Sequence, residues 1–230
     1  MGIILIPGIL LALFAQVRVS NTFQKYSKVM SMRGITGADF AKKILREADL
    51  FHIQVIPTKG TLSDHYNHRS KTVALSEEVY HSSSVASLGI AAHEVGHALQ
   101  YKHGYLPVKL RTIMVPFTNI VSVILWPLVF MGILLGFGST TGGSLGNIFV
   151  WAGVIFFSLS VLFSLVTLPV EFDASRRAKQ LLDDSGLVDE MESEGAQKVL
   201  RAAALTYVAA LIIAILNLIR FLLVINRRRN

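Results

Sequence analysis

Residues Ser87 to Leu99 read SLGIAAHEVGHAL, two histidines four positions apart with a glutamate beside the first, inside an otherwise small and apolar segment. On a helix, residues i and i+4 share a face, so His93 and His97 can direct their imidazoles at a single ion while Glu94 stands next to them. This is the H-E-x-x-H arrangement. Neutral imidazoles bind zinc, and the glutamate takes a proton from the water that attacks a peptide carbonyl. Zinc suits that work because it polarises the carbonyl and acidifies water without redox chemistry. Ala91, Ala92, Ala98 and Leu99 flank the motif, so the helix would bury three polar groups at a cost that a metal offsets.

A catalytic zinc needs a third protein ligand and one open position. The chain has no cysteine, which excludes thiolate ligands, disulfides and cysteine nucleophiles. Its composition, 52% hydrophobic and 16% charged over 230 residues, is that of a membrane protein. No Asp, Glu, Lys or Arg occurs from Thr112 to Val170, long enough for two membrane helices, with a hairpin-like break at GSTTGGSLGN. Apolar stretches from Ile3 to Val17 and from Ala202 to Ile225, the latter interrupted by Arg220, bring the expected spans to four. The first is short enough to tilt or insert partially. It lacks the basic leader of a signal peptide, its positive residues follow it, and it reads as a retained anchor.

A hairpin of two spans returns the chain to the side it left, so the polar segments 18–112 and 171–202 face one compartment. Glu171, directly after the third span, is therefore the expected third ligand, with Asp173 as its competitor. Arg176, Arg177, His81 and Tyr80 are the candidates for stabilising an oxyanion; for the two arginines, charge beside a span is the simpler role.

The elements that must position these groups follow from local signals. Thr36 and Asp39 form a capping-box pattern, and Phe40, Ile44 and Ala48 continue it as a helix over about 37–49. FHIQV, Phe51 to Val55, alternates as a strand that Pro57 ends, and KTVAL, Lys71 to Leu75, is a second strand whose edge can take a substrate backbone. Between them TKGTLSDHYNHRS reads as a loop, in which His65 and His68 are more often solvated than a second metal site. Serines 82–84 cap the H-E-x-x-H helix, which runs to about Lys102; His103 and Gly104 stop it and Pro107 prevents resumption. EFDASRRAKQLL is helical and DDSG closes it. A last helix starts near Asp189 and runs into the fourth span.

AAHEVGHALQ, PVEFDASRRA and AAALTYVAA, with HYNHRSKTVALS before them, resemble the YugP-type neutral zinc metallopeptidases, membrane proteins of bacteria. That family is similar to the HtpX-type membrane metalloproteases, whose third ligand is the glutamate of an E-F-x-A-D pattern. The resemblance implies a gluzincin-like site with His93, His97 and Glu171 as ligands and Glu94 as general base, holding one zinc per chain. Ser175 stands where the HtpX pattern has an aspartate able to orient a ligand histidine, and Asp173 is the carboxylate available for that role.

The expected fold is a mainly α membrane protein, about four transmembrane helices with a small α+β zincin-like metallopeptidase domain. Its parts are an anchor (1–17), a catalytic domain (18–112), a transmembrane hairpin (113–170), a second catalytic segment (171–202) and a final span with a basic tail (203–230). The net charge of +7 sits mostly beside the membrane ends, which points to a lipid bilayer and not to nucleic acid. Arg18, Lys25, Lys28, Lys109, Arg111, Arg176, Arg177 and Arg201 favour a multi-pass protein of the cell membrane with its site facing the cytoplasm; Arg227 to Arg229 argue the other way. The expected function is zinc-dependent endopeptidase cleavage of membrane-associated proteins or peptides. The alternative is a non-catalytic zinc-containing membrane scaffold. A metal transporter is disfavoured, because spans two and three carry no ionisable residue.

Overall fold

The computed structural model describes residues 2–134 and 143–229. Half of the expected GSTTGGSLGN turn, residues 138–142, lies outside them, and residues 143–147 of it are helical. After a 3-10 turn at Gly2–Leu5 come α1 (Ile6–Tyr26), α2 (Gly37–Glu47), β1 (Gln54–Thr58), β2 (His65–Asn67), β3 (Thr72–Ser76), α3 (Glu77–His81), α4 (Val85–Lys102), α5 (Leu106–Leu134), α6 (Gly143–Asp184) and α7 (Glu190–Arg229). Contacts divide the chain into two compact units, Met1–Leu13 with Pro107–Leu168 and Tyr207–Asn230, and Phe14–Leu106 with Pro169–Thr206.

The first unit is helical. Leu125, Val129 and Phe157 are buried against Leu218 and Phe221, and Val150 against Ile225. Its outward residues are apolar too, with Ile113, Phe117 and Ile155 all more than half exposed. Among the described residues four helices are long and apolar enough to cross a membrane, within Ile3–Tyr26, Leu106–Leu125, Gly146–Asp184 and Glu190–Asn226.

The second unit holds a three-stranded sheet in the order β1-β3-β2, β1 parallel and β2 antiparallel to β3. Helix α4 lies at its centre. It contacts α2, α3, β2 and β3, and thirteen of its eighteen residues are buried, which is why its apolar residues follow no single stripe. Two glycines let other helices close on it. A Cβ at Gly89 would stand 3.0 Å from Cβ of Ala196, and one at Gly96 would stand 2.7 Å from the carbonyl oxygen of Ala174.

Caps set the helix starts. Thr36 accepts from the Asp39 amide, Ser84 accepts from the Ser87 amide, and Asp189 and Glu192 bond each other's amides reciprocally. Gly104 and Gly186, both at positive φ, follow the ends of α4 and α6.

Four expectations are corrected. Pro107 does not block a helix but lies in the first turn of α5, where its missing N–H costs nothing. Pro57 lies inside β1, which is an edge strand and tolerates it. His65–Asn67, expected as loop, pairs with β3. Strand β3 is therefore the central strand with both edges occupied, so KTVAL offers no edge to a substrate; the free edges belong to β1 and β2.

Candidate metal centre

Helix α4 presents His93 and His97 one turn apart, their rings 4.7 Å between centroids and nearly perpendicular. Helix α6 brings in Glu171. Its Oε2 lies 3.3 Å from His93 Nε2 and 3.6 Å from His97 Nε2. Among the described residues these three form the group of His, Asp or Glu able to hold a metal, with donor atoms within 4.8 Å of one another. The close approach at Gly96 permits this, because α4 and α6 touch backbone to backbone one residue before His97.

The separations discriminate between a hydrogen bond and a shared ion. They exceed the roughly 2.7–3.2 Å of a good N–H···O bond, and they match the edge of about 3.4 Å expected between donors at zinc bond lengths in a tetrahedron. Two imidazole nitrogens and one carboxylate oxygen are also a donor set that zinc accepts. Glu171 is only 2% exposed, and a carboxylate so buried requires cationic compensation. The residues present therefore fit zinc.

Each histidine is held by its other nitrogen. Gln100, fully buried, accepts from His97 Nδ1 at 3.0 Å and donates to the Val170 carbonyl (2.7 Å) and to Asp173 Oδ2 (3.0 Å). Since a carbonyl and a carboxylate can only accept, the amide orientation is fixed, and its oxygen must face His97. Nδ1 of His97 then carries the proton and Nε2 is left as the donor to an ion. His93 Nδ1 lies 3.3 Å from the Ser175 hydroxyl, which positions the ring but, able to donate or accept, does not by itself set the tautomer.

Asp173, the competing third ligand, is engaged elsewhere. Arg177 Nε donates to it at 2.6 Å, Arg176 pairs with it, and Gln100 separates it from His97. Arg177 also approaches His103 Nδ1 at 2.9 Å. His81 pairs with Glu77 at 3.3 Å on the surface, and the Tyr80 hydroxyl receives Lys42 Nζ at 3.5 Å. None of these four oxyanion candidates bonds a member of the His93, His97, Glu171 group. His65 Nδ1 bonds the Ser63 carbonyl, and His68 stacks on Tyr101 at 4.1 Å, so the two histidines are placed by different partners.

Glu94 is buried, 6% exposed, and makes no hydrogen bond or ion pair with a described residue. Its charge nevertheless reaches the site. Burial disfavours the protonated His97 ring, but the adjacent Glu171 carboxylate and the field of Glu94 outweigh it and hold the His97 pKa above the usual histidine value. Sequence reasoning missed Gln100. The signal was available, since it is a lone amide one turn beyond a ligand histidine in a helix of small apolar residues.

Residues 1–226 match the family described as "Putative neutral zinc metallopeptidase". The chain is 42% identical over 221 residues to "Putative membrane protease YugP" of Bacillus subtilis (strain 168), covering 96% of this chain and 94% of that protein. No solved structure matches it.

Proposed function

As the chain belongs to the neutral zinc metallopeptidase family, we propose that it is a membrane-integral zinc endopeptidase of zincin-like build whose site is His93, Glu94, His97 and Glu171. The observation that carries this reading is the convergence of two imidazoles and a buried carboxylate from α4 and α6, beside Glu94, whose carboxylate makes no hydrogen bond or ion pair among the described residues.

His93, His97 and Glu171 would hold the ion. Zinc, when bound, supplies Lewis-acid polarisation of the scissile carbonyl and of the attacking water. Gln100 keeps the His97 imidazole in the tautomer that offers Nε2, and Ser175 helps to orient the His93 ring. Glu94 takes the proton from water as its oxygen attacks the carbonyl carbon, and returns it to the amide nitrogen as the C–N bond breaks. The absence of a structural partner leaves its carboxylate available for both transfers. A scaffold that merely retained zinc would have no use for Glu94.

Substrates are read as membrane-associated proteins or peptides, because the Glu171 segment follows directly on the uncharged run 112–170. The cationic residues flanking the spans favour a site facing the cytoplasm.

Two variants test the reading. Glu94→Gln is expected to keep about one zinc per chain and to lose cleavage of an unfolded protein substrate; undiminished cleavage sinks the mechanism. Glu171→Ala is expected to lose zinc, and unchanged zinc in that variant moves the ligand role to Asp173.

A further inference from the structure

The C-terminal half of α1 and the α7 segment with Lys198 and Arg201 flank an open cavity of about 530 Å³, lined by Phe14, Val17, Arg18, Lys25, Lys198 and Arg201 among others. Its volume is in the range of about 300–1,000 Å³ typical of small-molecule sites. Four of its lining side chains are cations and none is a carboxylate.

The acids nearby offset little of this charge. Glu194, one turn before Lys198, pairs with it at 3.6 Å, both side chains more than half exposed. Arg18, Lys25 and Arg201 have no acidic partner among the described residues. Arg18 lies over the Phe14 ring and Lys25 over that of Tyr26, which orders the cations without neutralising them. Like charges gathered around one space repel, and an anion in that space relieves the repulsion.

The apolar part of the lining narrows the kind of anion. Phe14 and Val17 belong to a helix apolar enough to cross a membrane, and Leu10, Leu13, Phe14 and Val17 are each more than half exposed. One face of α1 therefore passes from exposed hydrocarbon to exposed cations within about two turns, the order in which a phospholipid presents acyl chain, glycerol and phosphate.

We propose that this cavity binds the phosphate headgroup of an anionic membrane lipid. The site is separate from the metal centre and does not depend on its chemistry. Arg18 and Arg201 supply the forked donors suited to phosphate oxygens, and Lys25 and Lys198 add point charge.

The test uses the full chain in an uncharged detergent, with native mass spectrometry after addition of phosphatidylglycerol or phosphatidylcholine. Wild type is expected to retain phosphatidylglycerol at least about tenfold better than phosphatidylcholine, and Arg18→Gln with Arg201→Gln to weaken that retention about 10- to 30-fold. Lys28→Gln with Arg33→Gln removes the same charge outside the cavity and is expected to change nothing; Arg18→Lys with Arg201→Lys is expected to keep most of the binding. Should the double glutamine variant misfold, Lys25→Gln with Lys198→Gln is read in its place. Equal retention of the two lipids, equal loss in the Lys28 and Arg33 control, or inorganic phosphate binding as tightly as the lipid would each overturn the proposal.

Discussion

Gln100 assigns one partner to each face of its amide, and the fully buried side chain has no alternative arrangement. Gln100→Ala would leave His97 Nδ1 without its acceptor, and Asp173 would keep only its two arginine donors. Zinc affinity is expected to fall about 10- to 100-fold, as it does when a partner behind a ligand histidine is lost, and competition with a chromophoric chelator measures it. Asp64 is a second case. Burial pushes its carboxyl up, against the opposing hydrogen bonds from the Ser76 amide and hydroxyl. A folded pKa above the unfolded value means that the protonated group favours the fold. Its contribution is present below the unfolded pKa of about 3.9 and is lost as pH rises through the folded pKa. Asp64→Asn keeps an acceptor for the Ser76 amide without the charge. The variant should therefore melt no lower than wild type at pH 7, and thermal melts at neutral and acid pH check it.

At the scale of elements, the ligand histidines depend on how closely α4 meets α6. Gly96→Ala would set a methyl group against the Ala174 carbonyl, a backbone atom that cannot rotate aside. We expect weaker zinc binding and a lower melting temperature from that one carbon, measured on the same preparation. Thr36→Ala, which removes the α2 cap, should cost about 0.5–2 kcal/mol without touching zinc. Helix α2 was legible in the sequence because its cap and helical spacing agreed, and α4 because its serine cap and closing Gly104 did. Strand β2 was not, since three residues, with Tyr66 alone facing the core, are too short for an alternation to be read and their pairing depends on β3. The sheet order was equally hidden. KTVAL looked like an available edge because nothing local reveals that partners lie on both sides of it. The histidine and glutamate candidates could be named from motif and topology, whereas the reach of Gln100 to Val170 and Asp173 and the Gly96 contact depend on distances between helices, for which one sequence has no code.

For the whole molecule, the four long apolar helices among the described residues and a surface rich in exposed leucine, isoleucine and phenylalanine fit a lipid environment. The chain should stay in the membrane fraction through an alkaline carbonate wash and leave it only with detergent; release by carbonate would contradict the reading. The composition made this much readable at once, because 59 consecutive residues without Asp, Glu, Lys or Arg, from Thr112 to Val170, have no place in a water-soluble fold.

His93 and Glu171 lie 78 positions apart in the chain. An ion held between them would act as a reversible cross-link, tying off everything from α4 to the start of the Glu171 segment as a closed loop. Metal supply would then govern persistence as well as chemistry. Copies made without zinc would open between α4 and α6 more often and offer that segment to the cell's other proteases, so a shortage of the ion would thin the population of chains before it slowed any single one.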